Sequence, residues 1–211
     1  MNSPRRDFLL RISSLLAGIL LLGSCRSKSK PAASSPAAPA SAADKLDENR
    51  KLPRELVHKL LDQKVDEYML LSYNCAQSSF LALQEQFGLD GDQVLKALTP
   101  LPGIAERGET CGAVTGPLMA IGLVYGRDRL QLGNQDLFRE SLVPAGAFCR
   151  NFEEAFGTTL CRDIQQLKFG RSFRLTDPGE LAEFQAADAT THCSEVVRES
   201  VRMAADVILD H

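Results

Sequence analysis

Cys111-Gly112-Ala113-Val114-Thr115-Gly116-Pro117-Leu118-Met119-Ala120-Ile121-Gly122-Leu123-Val124-Tyr125 decides the fold class. The run is almost wholly apolar or small and stops at Gly126. It reads as a buried central helix, with Gly112, Ala113 and Gly116 allowing neighbouring backbone to come close. Outward from it, every longer segment has helical spacing. Pro53 suits a first helical turn, and Leu56, Leu60, Leu61, Val65, Tyr68 and Met69 repeat on one face up to Leu71. Asn74 caps a second helix that Gly88 stops, and a short helix from Asp92 to Leu98 ends at Thr99-Pro100. Gln135–Phe156 reads as a long helix with a kink or break near Pro144, and its Phe148-Phe152-Phe156 stripe as core packing. Cys161 to about Leu167 is a shorter helix, residues 168–188 read as irregular, and Thr191–Leu209 forms the last helix. No period-2 strand, helix-pair repeat or Gly-rich phosphate loop is present. The expectation is an all-α compact bundle of about six to seven helices over residues 51–211.

Ahead of that domain lie two segments of different composition. Ser3-Pro4-Arg5-Arg6-Asp7-Phe8-Leu9-Leu10 has the paired arginines of a twin-arginine export signal, and the apolar run Leu15–Leu22 is too short for a membrane span. Leu22-Gly23-Ser24-Cys25 resembles a lipobox, with Cys25 as the lipidated residue. Residues 1–24 are thus expected to be a signal peptide and 25–50 a flexible Ala/Pro/Ser linker. The localisation that follows is periplasmic or cell-envelope, lipid-anchored. Removing residues 1–24 takes three arginines and one aspartate from 24 basic and 27 acidic residues, leaving a net charge of −5. Without a basic stripe, nucleic acid is excluded as a partner.

The chemistry is carried by cysteine. Asn74-Cys75, Thr110-Cys111, Thr159-Leu160-Cys161 and Thr191-His192-Cys193 each place a thiol just after an N-capping side chain. A helix N-terminus offers unpaired N–H groups and the positive end of the macrodipole, which favour thiolate. The four are 36, 50 and 32 residues apart, with no Cys-x-x-Cys and no Cys-x-x-Cys-His. Thioredoxin-type pairs, zinc ribbons, ferredoxin-type runs and covalent haem are therefore disfavoured, and any shared site must be assembled by the tertiary fold. Four thiolates suffice for an iron–sulfur cluster, with [2Fe–2S] preferred, or for a zinc ion. Export of already folded protein fits a cofactor loaded beforehand. Gly112 and Gly116 would let the central helix approach such a group; Glu109 and His192 flank it. Cys149, between Phe148 and Phe152, reads as a core residue.

The same segments resemble the C_GCAxxG_C_C family of redox-active proteins over about residues 55–207. Asn74-Cys75-Ala76-Gln77 is similar to that family's first cysteine segment. Arg107-Gly108-Glu109-Thr110-Cys111-Gly112-Ala113-Val114-Thr115-Gly116 resembles its central motif, with Gly and Cys in swapped order. Phe152, Phe156-Gly157 and Cys161 resemble the third segment, and Cys193-Ser194-Glu195-Val196-Val197 the last. The resemblance implies a helical fold and an iron–sulfur cluster on Cys75, Cys111, Cys161 and Cys193. A similar domain accompanies haem in split-Soret cytochromes, but this chain lacks the attachment motif. The expected function is an exported electron-transfer protein serving an unidentified redox partner. Two rivals stay open: a metal-free thiol–disulfide oxidoreductase, and a helical lipoprotein stapled by disulfides or zinc that binds an envelope partner.

Overall fold

Apolar stripes at helical spacing leave each segment needing partners, and the computed structural model shows how they are found; it describes residues 41–211. The helices are α1 (Ala42–Arg50), α2 (Arg54–Ser72), α3 (Cys75–Phe87), α4 (Asp92–Ala97), α5 (Gly103–Glu106), α6 (Gly112–Tyr125), α7 (Gln135–Phe156), α8 (Cys161–Phe169), α9 (Pro178–Ala186) and α10 (Ala189–Asp210). A 3₁₀ turn at Arg129–Gln131 precedes α7. The described residues contain no strand, so the fold is all-α; one isolated antiparallel bridge pairs Thr110 with Leu160.

Helix α6 is the central one, with Ala113, Val114, Ala120 and Ile121 buried. It packs on α3, α7 and α10. Helix α2 buries Val57, Leu61, Val65 and Met69, and α10 meets it with Val197, Val201, Ala204 and Ile208. The α2–α10 pair is antiparallel and edged by Arg54–Asp210, His58–Asp206, Asp62–Arg202 and Asp66–Arg198. Such half-exposed pairs fix register more than they stabilise. Apolar burial stabilises the pairing more strongly, at about 25 cal/mol per Å².

Close approach of α6 to its neighbours has two causes. A Cβ on Gly116 would stand 2.1 Å from Ser79 Oγ and 2.3 Å from Ala76 O, so only glycine lets α3 lie this near. Pro117, inside α6, has no N–H to offer the carbonyl of Ala113 four residues back. The buried hydroxyl of Ser200 on α10 donates to that carbonyl instead. The proline thus leaves an acceptor that ties α6 to α10.

The architecture differs from the sequence expectation in three places. Residues 42–50, assigned to the linker, form α1: Ser41 and Asp44 make a reciprocal capping box, and buried Asn49 donates to Gln86 O at 3.0 Å. Asp177-Pro178-Gly179, read as a turn within irregular sequence, starts α9, with Asp177 Oδ1 accepting from the N–H groups of Gly179 and Glu180. An Asp cap with Pro at the first helical position serves either outcome. Helix α7 runs unbroken through buried Pro144, which removes one rung of the ladder while the others continue. The helix count over the described residues rises from six or seven to ten segments. The signal peptide at 1–24, Cys25 and the linker up to residue 40 lie outside the described residues. No described helix is long and apolar enough to cross a membrane.

The Pro117–Ser200 arrangement is testable by a double-mutant cycle. Ser200→Ala should lower unfolding free energy by about 1–3 kcal/mol, because it strands a buried carbonyl. In a Pro117→Ala background the loss should shrink by at least half, since residue 117 then supplies the N–H. Equal losses in both backgrounds, measured by chemical denaturation, would show that the hydroxyl does not serve that carbonyl.

Candidate functional site

Three of the four cysteines stand at helix starts. Cys75 is the first residue of α3 behind Asn74, whose Oδ1 accepts from Gln77 N at 3.0 Å; Cys111 is the N-cap of α6; Cys161 is the first residue of α8. Cys193 is not at a start, contrary to the sequence expectation. Helix α10 begins at Ala189, after Asp188 in a left-handed conformation, which puts Cys193 more than a turn inside. Thr191, read as a capping residue, instead donates its hydroxyl to Asp188 Oδ1 at 2.9 Å.

The short bridge at Thr110–Leu160 determines how the sulfurs meet. Cys111 N donates to Thr159 O at 2.9 Å, Cys161 N to Glu109 O at 2.7 Å, and Arg162 N to Gly108 O at 3.1 Å. Two helix starts distant in sequence are thereby laid side by side. The α3–α6 contact adds Cys75, since a Cβ on Gly112 would fall 2.3 Å from Cys75 Sγ. Cys193 comes in from α10. All four thiols line one cavity of about 30 Å³, walled by Ala113, Ile164, Val196 and Val197.

Cys111 lies within hydrogen-bonding reach of both Cys75 and Cys161. Its hydrogen bond to Cys75, together with the backbone N–H groups of Gly112, Cys75 and Ala76, holds the Cys75 thiol below its ordinary pKa despite burial. Cys111 is pushed up, first by its contacts with Cys161 and Cys75 and then by burial. Burial, with the nearby charges of Cys75 and Cys161, raises Cys193 strongly. Of the two adjacent thiols, Cys75 is therefore the more acidic. Each sulfur is a free thiol. Among the described residues no group of three or more His, Cys, Asp or Glu stands as a single-ion shell. The convergence is one of cavity lining and adjacent pairs.

The supporting residues divide by role. Gly112 is a cradle for Cys75, whereas Gly116 lies against the α3 backbone rather than sulfur. Glu109 contributes its carbonyl to Cys161 N, while its carboxylate pairs with Arg162 at 3.1 Å near the surface. His192 lines the thiol cavity and stands edge-on to Phe169, with ring centroids 5.1 Å apart. Cys149 is half-buried against the core and raised by burial, away from the cavity. Two participants escape sequence reading. Buried Gln165 donates to Cys161 Sγ at 3.6 Å and accepts from Phe173 N at 2.8 Å. Gly103 has φ +53°, and a Cβ there would meet Cys161 Sγ at 3.5 Å. Gln165, four residues after Cys161 on one helix face, was findable by spacing.

The family model described as "Putative redox-active protein (C_GCAxxG_C_C)" matches residues 73–207, which include all four cysteines. No curated protein and no solved structure gave a match.

Gly112→Ala tests the cradle. The added methyl must displace Cys75 Sγ, so a mild thiol oxidant should link Cys75 to Cys111 at least about tenfold more slowly, with a stability loss of about 1–3 kcal/mol from overpacking. Gly122→Ala, where a Cβ meets nothing within 4 Å, is the control and should behave as the parent. Equal linking rates by peptide mass spectrometry would contradict the geometry.

Proposed function

We propose, because the chain belongs to the C_GCAxxG_C_C family of redox-active proteins and its four matching thiols line one cavity, that it is an electron-transfer protein holding an iron–sulfur cluster. The ligands would be Cys75, Cys111, Cys161 and Cys193. The donor set fits: four sulfurs face common space, and Gly112 leaves room that a side chain would fill. When bound, the cluster would supply one-electron transfer.

The protein's own groups have clear tasks in that reading. The backbone N–H groups of Gly112, Cys75 and Ala76 would offset negative charge on the Cys75 sulfur. Gln165 does the same for Cys161. Ala113, Ile164, Val196 and Val197 give the inner cavity an apolar wall, and Cys111 is the one buried cysteine of the four. Among cluster types, [2Fe–2S] is preferred. Export through the twin-arginine signal, lipid anchoring at Cys25 and a periplasmic or envelope location complete the proposal, supported by residues 1–25 of the sequence.

One observation favours a second reading. Cys111 touches Cys75, and Cys75 is the low-pKa partner, as a metal-free dithiol would require. There the two thiols would form a disulfide and pass two electrons and two protons to a substrate disulfide, yielding two substrate thiols.

Protein purified without oxygen should be brown and contain iron and acid-labile sulfide, and Cys75→Ser, Cys111→Ser, Cys161→Ser and Cys193→Ser should each lose most of both. Cys149→Ser should retain them. Folded protein with neither iron nor sulfide, but a Cys75–Cys111 disulfide that forms and reduces reversibly, would replace the cluster reading with the dithiol one.

A further inference from the structure

A second, larger cavity of about 230 Å³ opens against the thiol site. Cys75, Cys161 and Cys193 border both spaces; Cys111 borders the inner one alone. Three sulfurs therefore form the floor of a pocket that the ligand role of those thiols does not require. Its walls come from the end of α2, through Met69 and Tyr73, and from the α9 region, through Leu181 and Phe184. Phe184 is held in place by Phe169 and Phe173, at centroid distances of 5.3 and 5.4 Å.

The lining limits what can enter. Among the described residues no Lys, Arg or His borders this cavity, and Glu106 is the one carboxylate on it. Phosphates, nucleotides and carboxylates would meet no counter-charge there and would be repelled. Tyr73, Gln185 and Thr190 bring a phenol, an amide and a hydroxyl, each a donor suited to a carbonyl oxygen. The volume lies below the ~300–1,000 Å³ of drug-sized pockets, which restricts the occupant to one or two rings. The arginines of this region, Arg107, Arg162 and Arg174, border a separate cleft on the other side of Glu106.

We propose that this cavity binds a small uncharged ring compound with carbonyl acceptors, of the quinone class, against the face made by Cys75, Cys161 and Cys193. The inference rests on the redox reading of the thiol site and names the chemical class of molecule that reaches it. It concerns binding, in which no bond is made or broken.

Duroquinone is the probe, because its fully substituted ring leaves no position for thiol addition. Calorimetric titration of the full-length protein purified without oxygen, and of the same protein after iron chelation, should give saturable one-site binding. The trimethylquinone ring bearing a propionate should bind at least about tenfold more weakly, since it adds a charge the cavity cannot match. Leu181→Arg, on the wall, should weaken duroquinone by about tenfold or more with helicity and iron content unchanged. Gln185→Glu, an exposed conservative change, should weaken it less and serves as a second wall variant should Leu181→Arg misfold. No saturable binding in either preparation, or equal affinity for the propionate, would overturn the proposal. Iron present without quinone binding would sink the pocket and spare the cluster. Quinone binding without iron would support the pocket and sink the cluster.

Discussion

The pairing of residues 108–111 with 159–162 is the constraint on which the site depends. Three backbone hydrogen bonds, of 2.7 to 3.1 Å, carry it. They lay the start of α6 beside the start of α8, two points fifty residues apart in sequence, and place Cys111 next to Cys161. Neither helix could bring its thiol there by apolar packing alone, because packing acts through a helix flank and not its tip. Segment α5, Gly103–Glu106, is a left-handed turn rather than a regular helix, and it braces the pairing, with Gly103 O accepting from Glu109 N at 3.0 Å. Ile104, Ala105 and Glu106 all have positive φ, a conformation that costs non-glycine residues about 1–3 kcal/mol each. Strain of that size persists only where its surroundings enforce it.

Around this bridge the core works as a positioning device. Glycines at 112 and 116 let α3 and α6 touch, which carries Cys75 to Cys111. The Ser200–Ala113 hydrogen bond fixes α10 against α6 and with it the depth of Cys193. Four sulfurs in one cavity would repel one another as thiolates. The fold answers by lowering the Cys75 thiol, through Cys111 and backbone N–H groups, while contacts with Cys161 and Cys75 push Cys111 up and desolvation pushes Cys193 up against the opposing charge of Lys168. A positively charged centre among them would reverse that balance, since deprotonation would then be favoured at every sulfur.

Periodicity and capping are local, so much of this fold can be read from the sequence. Helices α2, α3, α6, α7 and α10 follow from apolar spacing, and Asn74, Gly88 and Gly157 mark their ends. Four of the cysteines and Gly112 stand out in the sequence, and the structure puts those thiols on one cavity and Cys149 half-buried against the core. What escaped was non-local or ambiguous. A bridge of two residues leaves no period in either strand of sequence. Ser41 and Asp44 signal a helix start only to a reader who expects one after an Ala/Pro/Ser stretch. Asp177-Pro178 begins a turn and a helix with the same residues. Thr191 looks like a cap and so points to a helix start at Cys193, whereas the chain begins α10 earlier with no side-chain cap at all.

Four thiols on separate elements face one space, and the cluster reading requires that they hold something between them. Diffraction from crystals grown without oxygen, recorded at the iron absorption edge, addresses this directly. A compact anomalous peak enclosed by the sulfurs of Cys75, Cys111, Cys161 and Cys193 is the expected result. Clear density without such a peak, and with those cysteines joined in pairs or pointing into separate spaces, would contradict it.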